Sequence, residues 1–595
     1  MALIFDLETN GLLKQLDRIH CIAILDTEKN DGAQIYSGSQ IKEALQLLSD
    51  AEEIVGHNVI NFDVPAIQKV CPGWKSRAKV TDTYVLSQLF HADLMSEDSA
   101  QKLRLITGMD TYEALPNNLW GRHSLKSWGM RMGTMKGDYD GGWEELNDDM
   151  LVYCKQDVTV TYLLYKKLLV DGANFSQHSI DTEHTMAEVC DRIGSNGWTF
   201  DIVAAGELYA NLAQKRADLE REMAVLFEPW EVNTTFIPKR DNKTLGYLKG
   251  EPFVKTKVVE FNPGSRKHIH YCLTQKYAWE PAQFTANGDA KIDEAVLSTL
   301  EYPEAQKLAE MFLVQKRIAS LAEGRQAWLK LCDSDGKLRH RIIPLGTVSS
   351  RASHRSPNLA QVPSTRSAYG RECRELFKAP PGWVVCGSDL SGIELRCLAH
   401  YLDDGGQYAK QILEGDIHTF NQNAAGLATR DLAKTFIYSV LYGGGDGLIG
   451  SIVGGKAKDG KRLKADFDRA IPAFKSLKSE LLRAFKRGYL KGLDGRALSV
   501  RSEHRCLSQL LQSAGAIICK EWVKLIDLEL TKTGSKAYIM GWIHDEVQIA
   551  CPNEEVGHVT GDLARRMAKE AGIALKVSID IDAEYSLGRT WADTH

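Results

Sequence analysis

Asp389 closes a short apolar run, Val384-Val385-Cys386-Gly387-Ser388, and Ser391-Gly392 follow it at once. Such a run makes a buried strand, and the strand delivers its carboxylate at an exposed end. Far down the chain, Tyr538 to Ile543 and Val547 to Ile549 flank His544-Asp545-Glu546. That pattern is a hairpin with Asp545 and Glu546 at its bend. If the two strand ends meet, Asp389 and Asp545 can hold two divalent ions between them, the arrangement for in-line displacement at phosphorus. Each feature alone has an ordinary explanation. A strand-end Asp is commonly a turn residue, His-Asp-Glu can be a solvated tip, and Ser391-x-x-Glu394 fits a helix capping box.

A third stretch lies between them. Arg430, Lys434, Tyr438 and Tyr442 recur at every fourth position. At about 100° per residue they share one helix face, while Leu432, Phe436, Ile437 and Val440 form a side that can pack. Thr429 can cap the start, and Gly443-Gly444-Gly445 stops the helix. Two cations followed by two aromatics suit a triphosphate, a sugar and a base laid along the helix. A basic helix merely facing water has no use for two tyrosines in register.

A second set of acids opens the chain. Leu3-Ile4-Phe5-Asp6-Leu7-Glu8 is an apolar strand whose two carboxylates point to one face. Gly56 to Asp63 brings a third acid after another strand-like run, and Asp157 follows Tyr153 by four residues in a helical pattern, on the same face. Four carboxylates converging from strand, loop and helix can bind two metals and activate water against a phosphodiester.

These motifs resemble, in order and separation, those of the polymerase I-like, family A DNA polymerases. Asp389-x-Ser391-x-x-Glu394-Leu395-Arg396, Arg430-x-x-x-Lys434 with Tyr442-Gly443, and His544-Asp545-Glu546 match motifs A, B and C. Gly415 to Thr419, Pro357 to Pro363 and Leu511 to Ala516 are similar to the replicative polymerases of short-tailed bacteriophages. The first acids, with Asn58-x-x-Asn61-Phe62-Asp63 and Tyr153-x-x-x-Asp157, resemble the proofreading 3′–5′ exonucleases.

The resemblance implies an α/β multidomain chain, with an RNase H-like 3′–5′ exonuclease domain followed by a right-hand polymerase domain of thumb, palm and fingers. The expected spans are 1–172 for the exonuclease, 173–345 for the thumb and connecting helices, 346–404 and 533–595 for the palm, and 405–532 for the fingers. No 5′–3′ nuclease domain is expected ahead of Asp6. The resemblance assigns Asp389 and Asp545 to two Mg²⁺ ions, with Mn²⁺ as an alternative, and Glu546 as a supporting acid. Asp6, Glu8, Asp63 and Asp157 hold the exonuclease metals, and Tyr153 orients the attacking water. His418, Arg430 and Lys434 neutralise phosphates, and Tyr442 sits by the template base. Glu394 is the steric gate against ribose, held by the Tyr438 hydroxyl, and Tyr rather than Phe at 438 permits dideoxynucleotides. Arg351, Gln512 and His544 lie against the minor groove at the primer end, and Asn358 and Gln361 also contact DNA. The minor groove offers acceptors at similar places in every correct pair, so donors there sense pairing without reading sequence.

Composition sets the frame for these elements. A chain of 595 residues suggests about four domain-sized units. With 44% hydrophobic and 25% charged residues it is that of a soluble globular protein, and no apolar run is long enough for a bilayer. No targeting segment precedes the first strand, so a cytoplasmic setting is expected, the host bacterial cytoplasm for a phage-encoded chain. The 12 cysteines form no Cys-x-x-Cys pair and read as reduced thiols. Net charge is −5, yet Phe236 to Lys276 holds nine Lys/Arg against three Asp/Glu, and Lys456 to Arg505 fifteen against six. Such segregation suits a grip on phosphate backbones.

Ile180 to Phe227 reads as two amphipathic helices broken near Gly194 to Gly197, Glu228 to Val259 as a polar loop or small insertion, and Pro303 to Leu331 as helix. Asn262 or Ser265 caps the helix between them. Primer-template DNA and dNTPs are the expected partners, with a replicative helicase-primase beside them. A longer insertion at the place of Glu228 to Val259 recruits host thioredoxin in one phage polymerase type. This segment is short, so thioredoxin is not expected here. A single-subunit RNA polymerase shares the palm acids, but Glu394 and the exonuclease acids argue against it. A stand-alone nuclease would not need Asp389, Asp545, Arg430 and Lys434. Gly445 to Gly450 matches a Gly-x-Gly-x-x-Gly pattern but follows a helix, so it is not a dinucleotide site.

Overall fold

The structure is a computed structural model that describes residues 2–29, 31–106, 115–285 and 287–594. The chain divides into two compact units, one formed by Met1–Thr199, Arg339–Val362 and Lys378–His595, the other by Phe200–Leu338 and Pro363–Phe377.

The first unit begins with a mixed sheet. Strands β1 (Ala2–Thr9), β2 (Ile19–Asp26), β3 (Gln34–Ser37), β4 (Glu53–Gly56) and β5 (Lys79–Asp82) lie in the order β3-β2-β1-β4-β5. β1 pairs antiparallel with β2 and parallel with β4. Helix α1 (Asp63–Val70) starts shortly after β4, and α2 (Asp148–Asp171) packs across β1 and β2. Cys154 and Val158 of α2 meet Ile4, Cys21, Ala23 and Val55 in a small apolar core, which fixes the helix over the acid-bearing strand. Next, α3 (Gln177–Asn196) ends at Gly197, whose positive φ (59°) any side chain would resist.

A second sheet carries the C-terminal acids. Strands β6 (Val384–Leu390), β7 (Tyr538–Ile543), β8 (Glu546–Cys551) and β9 (Ala583–Gly588) are ordered β7-β8-β6-β9 and all neighbours run antiparallel. Helices α4 (Ile393–Tyr401), α5 (Arg430–Leu441) and α6 (Cys506–Lys532) complete this region, sharing one large core through Leu395, Leu398, Phe436, Ile437, Ile517 and Trp522. Beneath it lies a buried ionic cluster. Glu183 of α3 accepts from Lys520 of α6 (2.6 Å) and pairs with Arg496 (2.7 Å), which also binds Asp494 (2.6 Å). All four side chains are 0–1% exposed. Ser176, just ahead of α3, donates to the Asp494 carbonyl.

The second unit contains the helices Ile202–Leu226, Arg266–Tyr277 and Pro303–Ile318. The helical stretch from Pro303 passes after Ile318 into a π-helical segment, Ala319–Glu323, breaks at Gly324 and resumes at Trp328–Leu331. Ser265, not Asn262, caps Arg266–Tyr277, its Oγ accepting from the His268 amide. Glu228 to Val259 is not a loop: Trp230–Phe236 pairs antiparallel with Phe253–Val259 in a ribbon exposed along nearly its whole length. Phe236 packs edge-on against Tyr247 and Phe253, which are tilted against each other, and the three rings hold its far end.

Candidate active sites

β6 is buried from Val385 to Ser388, and Asp389 emerges exposed beside its end. Gly392 then takes a left-handed φ of 58° and turns the chain into α4. The helix starts at Ile393 with Gly392 at the cap position, so Ser391 is not its cap and Glu394 takes no part in a capping box. The β7–β8 turn is only two residues, His544 (φ 59°) and Asp545. The Asp545 carbonyl accepts from the Leu390 amide (3.0 Å), so the turn is tied to the end of β6. Asp389 and Asp545 are thereby placed at adjoining strand ends.

Glu546 is not at the bend. It opens β8, opposite Asp389 and Ile543. Its carboxylate is 4% exposed and its Oε1 accepts from Gln548 Nε2 and Trp591 Nε1, each at 2.5 Å. Thr594 in turn donates to Gln548 (2.8 Å). Gly387 leaves room for this chain of bonds, since a Cβ there would sit 2.6 Å from both Gln548 Nε2 and Thr594 Cβ. Glu546 is thus braced from below.

Asp545 has its proton affinity pushed up to about 6, first by burial and then by the Glu394 charge. Excess negative charge in a half-buried turn is what a divalent cation neutralises, and the oxygen-only donor set suits Mg²⁺. Arg351, Glu394, Tyr442, Gly515, His544 and Asp545 surround a cavity of about 270 Å³. Here one expectation is corrected. The Glu394 carboxylate is held by Tyr442, whose hydroxyl donates to Oε1 at 2.5 Å, and not by Tyr438. Arg351 Nη2 lies 3.7 Å from the same oxygen. The bond to Glu394 pushes the Tyr442 hydroxyl up to about 12, after burial as the larger cause. Tyr442 therefore belongs to the Glu394 wall in this structure. Tyr438 is half-buried one turn away, its hydroxyl raised by burial and then by Glu394 and Asp545.

α5 is capped by Thr429, whose side chain accepts from the Leu432 amide, and buries Ala433, Phe436, Ile437, Val440 and Leu441. Its opposite face leaves Arg430 and Lys434 exposed. Arg430 Nε donates to Asp416 (2.7 Å), which holds that carboxyl far below the usual range. Asp416 also caps the helix Ile417–Ala425 that carries His418. Burial, then Arg430 and Lys434, push the His418 imidazole below its ordinary value, and its Nδ1 is buried without a partner. His418 and Tyr438 stand 6.3 Å apart, ring to ring, on the side where Arg430 and Lys434 act on the imidazole. Of the residues expected at DNA, Arg351 and His544 line the cavity. Gln512 is half-buried on α6, upstream of Gly515, and Gln361 is exposed. Asn358 uses its Oδ1 to cap the turn Leu359–Gln361.

The N-terminal acids converge more tightly. Asp6 and Glu8 project from β1 toward α2, Asp63 opens α1, and Asp157 sits on α2 one turn beyond Tyr153. Ligand atoms of Asp6, Glu8 and Cys154 fall within 4.8 Å of one another. Burial and mutual repulsion push Glu8 up to about 8 and Asp63 up to about 7 and raise Asp6, while burial raises Asp157 against the opposing pull of Lys136. Asp63 Oδ1 and Asp157 Oδ1 are buried with no hydrogen-bond partner. Unsatisfied buried carboxylate oxygens at the centre of an anionic cluster are the donor set of a hard divalent cation, so the residues fit metal. One member of this site had no signal in the sequence. Lys136, from the irregular loop ahead of α2, ion-pairs with Asp157 Oδ2 and stands 4.7 Å over the Tyr153 ring.

Residues 242–593 match the family model described as DNA polymerase family A, and residues 3–169 match the RNase H superfamily model. The chain is 35% identical to the DNA-directed DNA polymerase of Enterobacteria phage T3 over 713 aligned positions, covering 100% of both chains. The enzyme of Escherichia phage T7 is 35% identical over 715 positions, again 100% of both. Those alignments exceed the 595 residues present here, so both relatives carry stretches this chain lacks. Among solved structures, the polymerase domain of Pol1 from M. smegmatis, in complex with DNA primer-template and dNTP, superposes with a TM-score of 0.73 at 17% identity, over 99% of this chain and 96% of that one, which establishes a common fold. With its RNase H-like N-terminal region and its phage-type relatives, the chain belongs to the family A DNA polymerases.

Proposed function

We propose that this DNA polymerase extends a primer 3′ end with dNTPs by a two-metal mechanism and removes mismatched ends with a separate 3′–5′ exonuclease centre. The observation that carries the reading is the pair of acid clusters, Asp389 with Asp545 and Asp6 with Glu8, Asp63 and Asp157, built on two different sheets. When bound, Mg²⁺ or Mn²⁺ supplies Lewis acidity, lowering the pKa of the primer 3′-hydroxyl or of a water and offsetting charge on the phosphates.

The chain's own residues do the rest. Asp389 and Asp545 hold the cations at the strand ends, and Glu546 keeps the turn beside them rigid. Arg430 and Lys434, one turn apart on α5, meet the triphosphate, with His418 beside them. For Arg430 this means exchanging Asp416 for phosphate. Glu394, held by Tyr442, fills the space a 2′-hydroxyl would need. Arg351, Gln512 and His544 face the minor groove of the terminal pair, and Asn358 and Gln361 flank the duplex. In the exonuclease centre Asp6, Glu8, Asp63 and Asp157 hold the cations while Tyr153 orients the attacking water.

The domain assignment follows: exonuclease over 1–172, thumb and connecting helices over 173–345, palm over 346–404 and 533–595, and fingers over 405–532. Primer-template and dNTPs are the substrates. A helicase-primase is a proposed partner and thioredoxin is not. Among the described residues no helix is long and apolar enough to cross a membrane, and work in the host cytoplasm is part of the proposal. One primer-extension assay tests the whole reading, run with dNTPs and with rNTPs on matched and mismatched ends. Extension with rNTPs in preference to dNTPs would favour an RNA polymerase, and degradation without extension a nuclease.

A further inference from the structure

Lys136 places a cation at the N-terminal acids, and its place is built rather than accidental. The loop that carries it is pinned twice just ahead of Lys136, to the helix before it and to α2. Thr134 N donates to Gly129 O (2.9 Å), and the Met135 carbonyl accepts from Gln156 Nε2 of α2 (2.9 Å). Gly129 is needed for that approach, because a Cβ there would lie 2.5 Å from Thr134 O. The Lys136 side chain is 20% exposed and Asp157 only 4%. Its ammonium binds one oxygen of Asp157, Oδ2, and leaves the other, Oδ1, buried and unpartnered. The same ammonium lies over the ring of Tyr153, one helical turn back on α2. A cation that fixes a ligand carboxylate by its outer oxygen orients the inner one, as the partners behind metal ligands commonly do.

We propose that Lys136 is a positioning residue of the exonuclease centre. It fixes the Asp157 carboxylate so that Oδ1 faces the metal, and it braces the Tyr153 ring through a cation–π contact. The proposal rests on the exonuclease reading above. It contacts neither the scissile phosphate nor the water; it acts through Asp157 and Tyr153.

The test compares the intact chain with Lys136→Met and Lys136→Arg, and with the double variant Asp6→Ala, Glu8→Ala as reference. Excision of a mismatched 3′ end is measured at saturating Mg²⁺, Mn²⁺ binding without DNA is followed by calorimetry, and primer extension reports folding. Removing a residue that orients a metal ligand typically costs about 10- to 100-fold in affinity or activity. Lys136→Met should therefore lower kcat for excision and weaken Mn²⁺ binding on that scale, with the KM for the DNA end and the extension rate unchanged. Lys136→Arg keeps a cation that can bind a carboxylate and lie over an aromatic ring, and should recover much of both. Undiminished excision and Mn²⁺ affinity in Lys136→Met, or tighter Mn²⁺ binding, would overturn the proposal while the double variant still lost excision. If the double variant retained excision, the exonuclease assignment itself would fall.

Discussion

Replacing Tyr442 by Phe removes one hydroxyl and nothing else, and the structure says what that hydroxyl holds. It donates to Glu394 Oε1 at 2.5 Å, while the other nearby donor, Arg351, stays 3.7 Å off. A hydrogen bond to a charged group is worth about 1.5–3 kcal/mol when buried. Tyr442 is 45% exposed, so water screens the bond and about 1 kcal/mol is the fitting value. At about 1.4 kcal/mol per factor of ten, that is roughly fivefold. Tyr442→Phe should thus relax the preference for dNTP over rNTP by roughly fivefold, because the carboxylate is freer to yield to a 2′-hydroxyl. Glu394→Ala removes the wall itself and should relax it by about 10- to 200-fold, the range for small changes in pocket shape. The assay is single-nucleotide incorporation with dGTP and rGTP, compared as kcat/KM. Tyr438→Phe serves as the contrast: it should impair dideoxynucleotide use and leave the ribose preference alone. Unchanged discrimination in both Tyr442→Phe and Glu394→Ala, or relaxation confined to Tyr438→Phe, would refute the reasoning.

Asp389→Ala or Asp545→Ala should abolish primer extension and spare degradation of single-stranded DNA; extension surviving in both would remove the two-metal assignment. Conversely, Asp6→Ala with Glu8→Ala should end excision and leave extension intact, since the acids stand on separate sheets, and coupled loss of both activities would contradict that independence. Glu8 near 8 and Asp63 near 7 both lie above ordinary carboxylates. Between about pH 5 and 8 the metal-free folded chain therefore keeps protons that the unfolded chain has already lost, so its stability falls as pH rises through that window. Melting temperatures in EDTA should decline from pH 5 to 8 more steeply than those of Glu8→Gln, and Mg²⁺ should restore more at pH 8 than at pH 6; identical slopes would discount the cluster. Added thioredoxin should leave product length per binding event unchanged, and a marked lengthening would show that the ribbon Trp230–Phe236 with Phe253–Val259 recruits it.

What could be read from residues alone was what local periodicity encodes. Two-residue spacing put Asp6 and Glu8 on one face of β1, and four-residue spacing put Arg430, Lys434 and Tyr438 on the open face of α5, because a buried core enforces both periods. The failures lie where one residue of phase or a distant partner decides. A two-residue turn moved Glu546 from the bend into β8. A left-handed Gly392, standing at the cap of α4, keeps Ser391 and Glu394 from forming a capping box. The ribbon after Glu228 has no buried face, so its alternation carries no hydrophobic contrast. Lys136 stands in an irregular loop, and its meaning comes wholly from Asp157 and Tyr153 across space.

The ionic cluster under α3 bears on where this enzyme can be cut. An engineer wanting the polymerase region without the RNase H-like one would sever the chain after the N-terminal sheet, and any scissile point up to Asn196 looks equivalent on paper. The charges make it otherwise. Glu183 lies on α3, yet it neutralises Lys520 and Arg496 more than three hundred positions away. A fragment beginning beyond α3 would leave Lys520 fully enclosed without its counter-charge, a fault that costs about 3–5 kcal/mol in a protein interior. A fragment that keeps Ser176 and all of α3 retains every bond of the cluster. A cut that spares the cluster therefore has to fall ahead of Ser176, and the helix that follows it supports the acid-bearing C-terminal sheet region.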